Sequence, residues 1–393
     1  MKNILEMLER SAERFPDKIV FRDETTDLTY SEFLNTAKAI GTDIAKSGVF
    51  KKPIAVIAER SVKNLAAMFG VLYSGNFYTV IDCEMPPERV KAIFETLKPA
   101  AVVVTKACLS LLEKLDFNGK AVNYEIAKDC PADSNLLGKI RENMIDSDPA
   151  YVLFTSGSTG VPKGAVVSHR AVLTYVKWYV DTFKIDENTV FGSQTPFYFS
   201  MSVSDVFSCV FAGAELNIIP KSLFSFPMKL IEFLNERRVN TIYWVPSALC
   251  IIANWRALDY GELKYVKKVL FTGEVMPVKQ LNYWISKLEG AMFANLFGPT
   301  ETTDICTYYI VDRKFEDGET LPIGRACDNC DVFVVKEDGT KAKQGEEGEL
   351  YARGSFLAMG YYNHPEKTAA AFVQNPLNTA YPETVYKTGD LLK

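Results

Sequence analysis

Between residues 53 and 125 short, apolar, β-branched runs alternate with longer stretches of helical periodicity. Residues 54–58, 78–81 and 101–104 read as strands, with helices over 62–73 and 87–97 between them. Strands joined through helices cannot pair as hairpins, so the spacing predicts parallel βαβ units with helices covering the sheet. A second series starts at Tyr151 and takes in strands over 190–194, 215–219, 241–244, 269–271 and 291–296, with helices over 227–237 and 277–288. Two intertwined α/β lobes are expected over residues 1–304. From Ile305 onward helical patterns thin out. Apolar runs at 307–311, 331–335 and 348–352 alternate there with turn signals such as Glu337-Asp338-Gly339, so residues 305–393 read as a small β-rich, barrel-like unit.

A chain of 393 residues exceeds what one core usually fills, and two or three packed units are expected. With 48% hydrophobic and 24% charged residues, disordered and low-complexity classes are excluded. Basic and acidic residues number 44 and 49, without long blocks of either sign, so nucleic acid is not an expected partner. The longest uncharged stretch, 188–204, is interrupted by Gly192, Gln194, Pro196 and several serines and does not read as a membrane span. Glu6, Glu9 and Arg10 stand where a secretory signal needs an apolar core, and the eight cysteines are scattered, mostly in apolar runs; a cytoplasmic location with reduced thiols is expected. Cys327 and Cys330 form one C-x-x-C pair. With no second pair and only His169 and His364 in the chain, no metal site is assigned to it.

The strongest local signal is the run from Tyr151 to Gly164, in which an apolar strand enters Thr155-Ser156-Gly157-Ser158-Thr159-Gly160-Val161-Pro162-Lys163-Gly164. Glycines let backbone N–H groups curl around an anion, while hydroxyls and one lysine add donors and positive charge. Chemically this is a polyphosphate cradle. It is not a Walker A loop, because Lys163 precedes Gly164, and no G-x-G-x-x-G follows a strand.

T-S-G-S-T-G-x-P-K-G resembles the phosphate-binding motif of the adenylate-forming superfamily, which includes adenylation domains of nonribosomal peptide synthetases, D-alanine–carrier-protein ligases, acyl-CoA synthetases and luciferases. The resemblance runs along nearly the whole chain. Leu28-Thr29-Tyr30-Ser31-Glu32-Phe33 is similar to L-T-Y-x-E-L, residues 71–82 to L-K-A-G-x-x-Y-x-P-x-D, and Asn295-Leu296-Phe297-Gly298-Pro299-Thr300-Glu301 to N-x-Y-G-P-T-E. Residues 348–362 resemble the G-E-L motif ending in G-Y, and Tyr386-Lys387-Thr388-Gly389-Asp390-Leu391 resembles Y-[RK]-T-G-D-L. The resemblance implies the acetyl-CoA synthetase-like large domain, with ATP and Mg²⁺ as cofactors.

It also implies roles. A carboxylate attacks the α-phosphate of ATP, giving an acyl-adenylate and pyrophosphate. Thr155, Ser156, Gly157, Ser158, Thr159, Gly160 and Lys163 would hold the β- and γ-phosphates, Thr300 the α-phosphate, and Glu301 the magnesium ion. Thr155, Lys163, Thr300 and Glu301 are the expected catalytic set. Asn295, Phe297 and Gly298 would border adenine, Gly273 and Glu274 would line the same slot, and Asp390 would accept from the ribose hydroxyls. Ser168 reads as an N-cap, and His169 as structural.

Residues 196–205 resemble the F-D-x-S-V motif, in which the Asp binds a substrate's α-ammonium. Here that position is Ser200, a neutral hydroxyl that cannot replace the charge. By motif offset the other pocket positions are Met201, Ser204, Trp244, Leu270, Thr272, Leu296, Asp304 and Ile305. The stretch Phe271-Thr272-Gly273-Glu274-Val275-Met276-Pro277 resembles the D-alanine ligases, but Thr272 stands where those carry Cys. Asp304 is the one acid expected deep in the pocket. It would pair with a group farther from the carboxylate than an α-amine, as in a β- or ω-amino acid.

The expected partners are a carboxylic or amino acid and an acyl carrier protein of the peptidyl type; an acyl- or aryl-CoA ligase and a nucleotide-binding module without turnover are the alternatives. Family members continue past T-G-D into a C-terminal lid domain carrying a catalytic lysine. The sequence stops at Lys393, three residues after Asp390, so as it stands it is expected to bind nucleotide and acid but to adenylate poorly.

Overall fold

The computed structural model describes residues 1–155 and 162–392. A six-stranded sheet runs in the order Lys120–Asn123, Ala101–Val104, Pro53–Ile57, Phe77–Ile81, Pro149–Thr155, Lys163–Ser168, parallel throughout except for the last, antiparallel pair. Pro53–Ile57 and Phe77–Ile81 are buried at every position, which is why they read as unbroken apolar runs: central parallel strands are covered on both faces. A nine-stranded sheet has at its centre the parallel strands Met292–Phe297, Lys268–Phe271, Thr241–Trp244, Val190–Ser193 and Glu215–Ile218. Both α/β sheets were thus legible, with three differences in membership.

The second series does not begin at Tyr151. Tyr151 pairs in parallel with Tyr78, and Pro149–Thr155 and Lys163–Ser168 close the first sheet as a hairpin. The N-terminal strand Ile19–Arg22 instead joins the nine-stranded sheet beside Glu215–Ile218. Third, Thr307–Ile310, expected in the β-rich unit, pairs antiparallel with Met292–Phe297 and extends the nine-stranded sheet. Strand periodicity carries no information about the partner, so these memberships are decided by packing. Arg325–Ala326 and Asp27–Thr29 form the two edges of the nine-stranded sheet, and Cys330–Val335, Gly348–Gly354, Thr384–Leu392 and Phe372–Gln374 make a four-stranded antiparallel sheet. Among the described residues no pairing joins its two edges, so it is open where a barrel-like unit was expected.

The largest core lies between the two α/β sheets. It joins Tyr78, Tyr151 and Leu153 of the first to Phe191, Leu216, Tyr243, Leu270 and Leu296 of the second through helices Tyr30–Ala45, Val62–Tyr73, His169–Phe183 and Met201–Ala212. A second core, with Ile242, Trp244, Val269 and Phe271, lies on the outer face of the nine-stranded sheet. The L-T-Y-x-E-like stretch has a mechanical task here. Thr29 and Glu32 form a reciprocal capping box on helix Tyr30–Ala45, and the Tyr30 hydroxyl reaches the carbonyls of Cys209 (3.0 Å) and Ala214 (2.8 Å), tying that helix to the end of Met201–Ala212. Ser168 caps helix His169–Phe183 by accepting from the Ala171 amide at 3.2 Å. His169 is buried, its Nδ1 accepts from the Ile4 amide at 3.4 Å, and burial pulls its imidazole down to about 4.

Candidate active site

Ser156, Gly157, Ser158, Thr159 and Gly160 lie outside the described residues. On either side of them Thr155 is paired with Lys163, and its hydroxyl donates to the Lys163 carbonyl at 3.5 Å. Strand Lys163–Ser168 is flanked by residues 359–362 through Met359 N to Val166 O (2.8 Å), Val166 N to Gly360 O (2.9 Å) and Tyr362 N to Gly164 O (2.8 Å). That pairing carries Tyr361 to the site. The Lys163 ammonium stands 4.9 Å from the centre of the Tyr361 ring, and the Tyr361 hydroxyl donates to Glu301 Oε1 at 2.6 Å. Glu301 is buried in the 3₁₀ turn Thr300–Thr302, and its carbonyl accepts from the Ala358 amide at 2.8 Å.

Among the described residues no group of three acidic, histidine or cysteine side chains could enclose a metal ion. A hard cation at Glu301 would therefore take its other ligands from phosphate and water, which is the donor set Mg²⁺ prefers. A single carboxylate beside a lysine fits that requirement.

On the other side of the same turn, the Thr300 hydroxyl donates to Ser200 Oγ at 3.3 Å. Ser200 in turn lies against Asp304, whose carboxylate its hydroxyl helps to stabilise. Asp304 Oδ2 accepts from Ser204 (2.6 Å), Tyr243 (3.0 Å) and Tyr175 (3.1 Å), and the Tyr175 and Ser204 hydroxyls are 2.7 Å apart. Burial pushes the Asp304 carboxyl up to about 6 against the pull of these hydroxyls. Asp205, on the helix Met201–Ala212, is also fully buried. Burial holds its carboxyl well above the usual range, so Asp304 is the acid of the two better placed to ionise.

Backbone strain sits between Glu301 and Asp304. Thr303 has φ +71° and ψ −53°, a γ-turn conformation that β-branched residues avoid and that costs about 1–3 kcal/mol. It is held by its own hydroxyl on the Phe356 carbonyl (2.7 Å) and by the Tyr151 hydroxyl on its carbonyl (3.4 Å). Gly298 permits the close approach that follows: a Cβ there would lie 2.5 Å from Ile305 Cα and 2.6 Å from both Asp304 O and Cys306 N.

Met201, Leu270, Leu296 and Ile305 are buried in the central core around this acid, and Thr272 is buried just beyond strand Lys268–Phe271. Trp244 is not among them. A strand sends successive side chains to opposite faces, and Trp244 packs in the outer core against Phe224 with its indole N–H on the Gly192 carbonyl (2.8 Å); Tyr243 is the residue that reaches Asp304. Gly273 adopts φ +91°, while the Glu274 carboxylate is engaged at the start of helix Pro246–Asn254, accepting from the Ser247 amide (2.8 Å) and hydroxyl (3.1 Å). Asn295 donates to the Pro322 carbonyl at 2.9 Å, and Phe297 is half-buried at the rim of the central core. Asp390 is exposed, with its amide on Thr388 Oγ1 (3.1 Å). Its charge reaches Cys306, whose thiol burial first and Asp390 second push up to about 12. Tyr175, Tyr243 and Tyr361 were missed by sequence reasoning. Nothing local separates a tyrosine that serves a carboxylate from one that fills a core.

Residues 8–362 match the family model for AMP-binding enzymes. The chain belongs to the AMP-binding enzyme family. This AMP-binding enzyme is 31% identical over 404 residues to a mycosubtilin synthase component of Bacillus subtilis, covering all of the chain and 15% of that protein. It is 30% identical over 409 residues to zwittermicin A synthase ZmaJ of Bacillus cereus, covering 99% of the chain and 73% of ZmaJ. The AMPPNP-bound form of the nonribosomal peptide synthetase FmoA3 superposes with a TM-score of 0.88 at 25% identity, over 99% of this chain and 41% of that one. No helix among the described residues is long and apolar enough to cross a membrane.

Proposed function

We propose that this AMP-binding enzyme activates an amino acid with ATP and passes it to the phosphopantetheine thiol of a carrier protein. A substrate carboxylate oxygen attacks the α-phosphorus, the bond to the β-phosphate breaks, and pyrophosphate leaves. The carrier thiol then attacks the acyl carbon and AMP departs. Lys163 and the loop before it would hold the β- and γ-phosphates, Thr300 the α-phosphate, and Asp390 the ribose. Glu301 would hold Mg²⁺, which when bound offsets charge on the phosphate oxygens. The eight free cysteines suit a cytoplasmic setting.

One observation carries this reading. Thr300, on the nucleotide side, and Ser200, on the acid side, share a hydrogen bond of 3.3 Å, with the Asp304 carboxylate immediately behind Ser200. Negative charge lost from position 200 is thereby supplied from another element, one hydrogen-bond step deeper. An ammonium placed farther from the reacting carboxylate than an α-amine fits that depth, which favours a β- or ω-amino acid.

The test is a substrate panel of α-, β- and ω-amino acids against neutral acids of equal length, read by calorimetry and by ATP–pyrophosphate exchange. Amino acids with distant amines should bind best, and Asp304→Asn should erase about 150-fold or more of that preference, the lower end of the scale for a broken buried ion pair. Their affinity should also fall about tenfold for each pH unit below about 6, as Asp304 takes a proton, while neutral acids stay level. Equal binding of neutral acids, with a ranking indifferent to Asp304→Asn, sinks the amino-acid reading. Failure of ATP to bind sinks the whole proposal.

A further inference from the structure

Lys163 and Glu301 are opposite charges brought to one place, yet among the described residues no ion pair joins them. Left to themselves in a part-buried site, a lysine and a carboxylate would pair, and each would then be occupied by the other rather than by phosphate or metal. What stands between them is Tyr361. Its ring presents the π-face to the Lys163 ammonium at 4.9 Å, and its hydroxyl gives a short, charge-assisted hydrogen bond of 2.6 Å to Glu301 Oε1. Each charge is satisfied by a contact that a stronger ligand can displace.

The tyrosine is itself tightly held. Its amide donates to Thr368 Oγ1 at 2.9 Å, and the pairing with strand Lys163–Ser168 fixes the backbone on either side. Gly360 before it has φ +123°, and a Cβ there would lie 2.5 Å from Thr368 Cγ2, so the chain reaches this position only through glycine. Tyr386 closes the cluster from strand Thr384–Leu392, the strand that also carries Asp390. Burial, and then the Glu301 charge and Tyr361, hold its phenol well above the ordinary range. Lys163, Glu301 and Tyr386, far apart in sequence, therefore meet at one ring.

We propose that Tyr361 is a positioning residue that separates Lys163 from Glu301 and presents the lysine to phosphate and the carboxylate to the metal ion. It rests on the adenylation reading and adds to it how the two charges are kept available. Ring and hydroxyl have separable tasks. The hydroxyl orients Glu301 and bears on the Mg²⁺-dependent part of nucleotide binding, whereas the ring keeps Lys163 free and bears on the metal-independent part.

Binding of AMPPNP to the full chain, measured by calorimetry in EDTA and in excess Mg²⁺, tests this. Tyr361→Phe keeps the ring: affinity in EDTA should stay within about twofold of the parent, while the gain on adding Mg²⁺ should shrink about tenfold or more, as for loss of one charge-assisted hydrogen bond. Tyr361→Leu removes both and should weaken binding in EDTA as well, by about five-fold or more. In a Glu301→Gln background, Tyr361→Phe should change the Mg²⁺ effect no further. Equal losses by Tyr361→Phe in EDTA and Mg²⁺, or a lowered melting temperature with both affinities intact, would make Tyr361 a packing residue and overturn the proposal. Absence of AMPPNP binding by the parent chain is a different result, and falls on the adenylation reading itself.

Discussion

Asp304 makes the fold pay in stability for a charge kept inside it, and that cost is measurable. The carboxyl sits at about 6 in the fold against an ordinary 3.8, with burial as the main cause. At 1.36 kcal/mol per pH unit, ionising it in place is about 3 kcal/mol harder than ionising it in the unfolded chain. Because the folded value is raised, the unfolded chain releases this proton first. The group's favourable contribution is complete below about pH 3.8 and is lost as the pH rises through about 6. Asp304→Asn abolishes the titration while keeping an acceptor for Ser204, Tyr243 and Tyr175. Urea unfolding of both proteins at pH 4, 5, 6 and 7.5 should find the variant less stable at pH 4, where its amide N–H₂ lacks a partner, by about 1–2 kcal/mol. The gap should then move in the variant's favour by about 2.5 kcal/mol between pH 4 and pH 7.5. For 393 residues the same change amounts to roughly 3 °C in melting temperature. Asp205 titrates in both proteins and cancels to first order in the difference. A gap constant to about 0.5 kcal/mol across this range would refute the argument that burial has raised Asp304.

Two further substitutions probe how that acid is held. Gly298→Ala drives a methyl into the backbone at Ile305, Asp304 and Cys306; it should cost about 1–3 kcal/mol and at least tenfold in amino-acid affinity, and a variant with parental melting and binding would contradict the close approach. Thr303→Val deletes the hydroxyl from the Phe356 carbonyl and keeps the strained backbone, whereas Thr303→Gly deletes it and relieves the strain. Melting curves should rank the valine variant below the glycine variant by about 1 kcal/mol or more, and the reverse order would argue that Thr303 is not strained.

The chain's order of motifs and its alternation of strand and helix were enough to place it in a family and to single out Thr155, Lys163, Thr300, Glu301, Ser200 and Asp304 as candidates. Such features are local. A 3₁₀ turn after Gly-Pro or a parallel strand buried on both faces is written in neighbouring residues, and each survives in sequence because a few adjacent side chains produce it. Which sheet a strand joins is not local, so Ile19–Arg22, Pro149–Thr155 and Thr307–Ile310 were placed only by the packed structure. The same holds for the tyrosines. Trp244 and Tyr243 are adjacent apolar letters in a four-residue strand, and only the packing of the sheet decides that Tyr243 turns to Asp304 while Trp244 fills the outer core. Tyr361 reaches Glu301 across 60 residues of chain, and Asp304 reaches Ser200's neighbourhood across 100. Charge and hydrogen bonding act through space over a few ångströms. The sequence could therefore name candidate groups for the chemistry, but only the tertiary structure decided which of them touch.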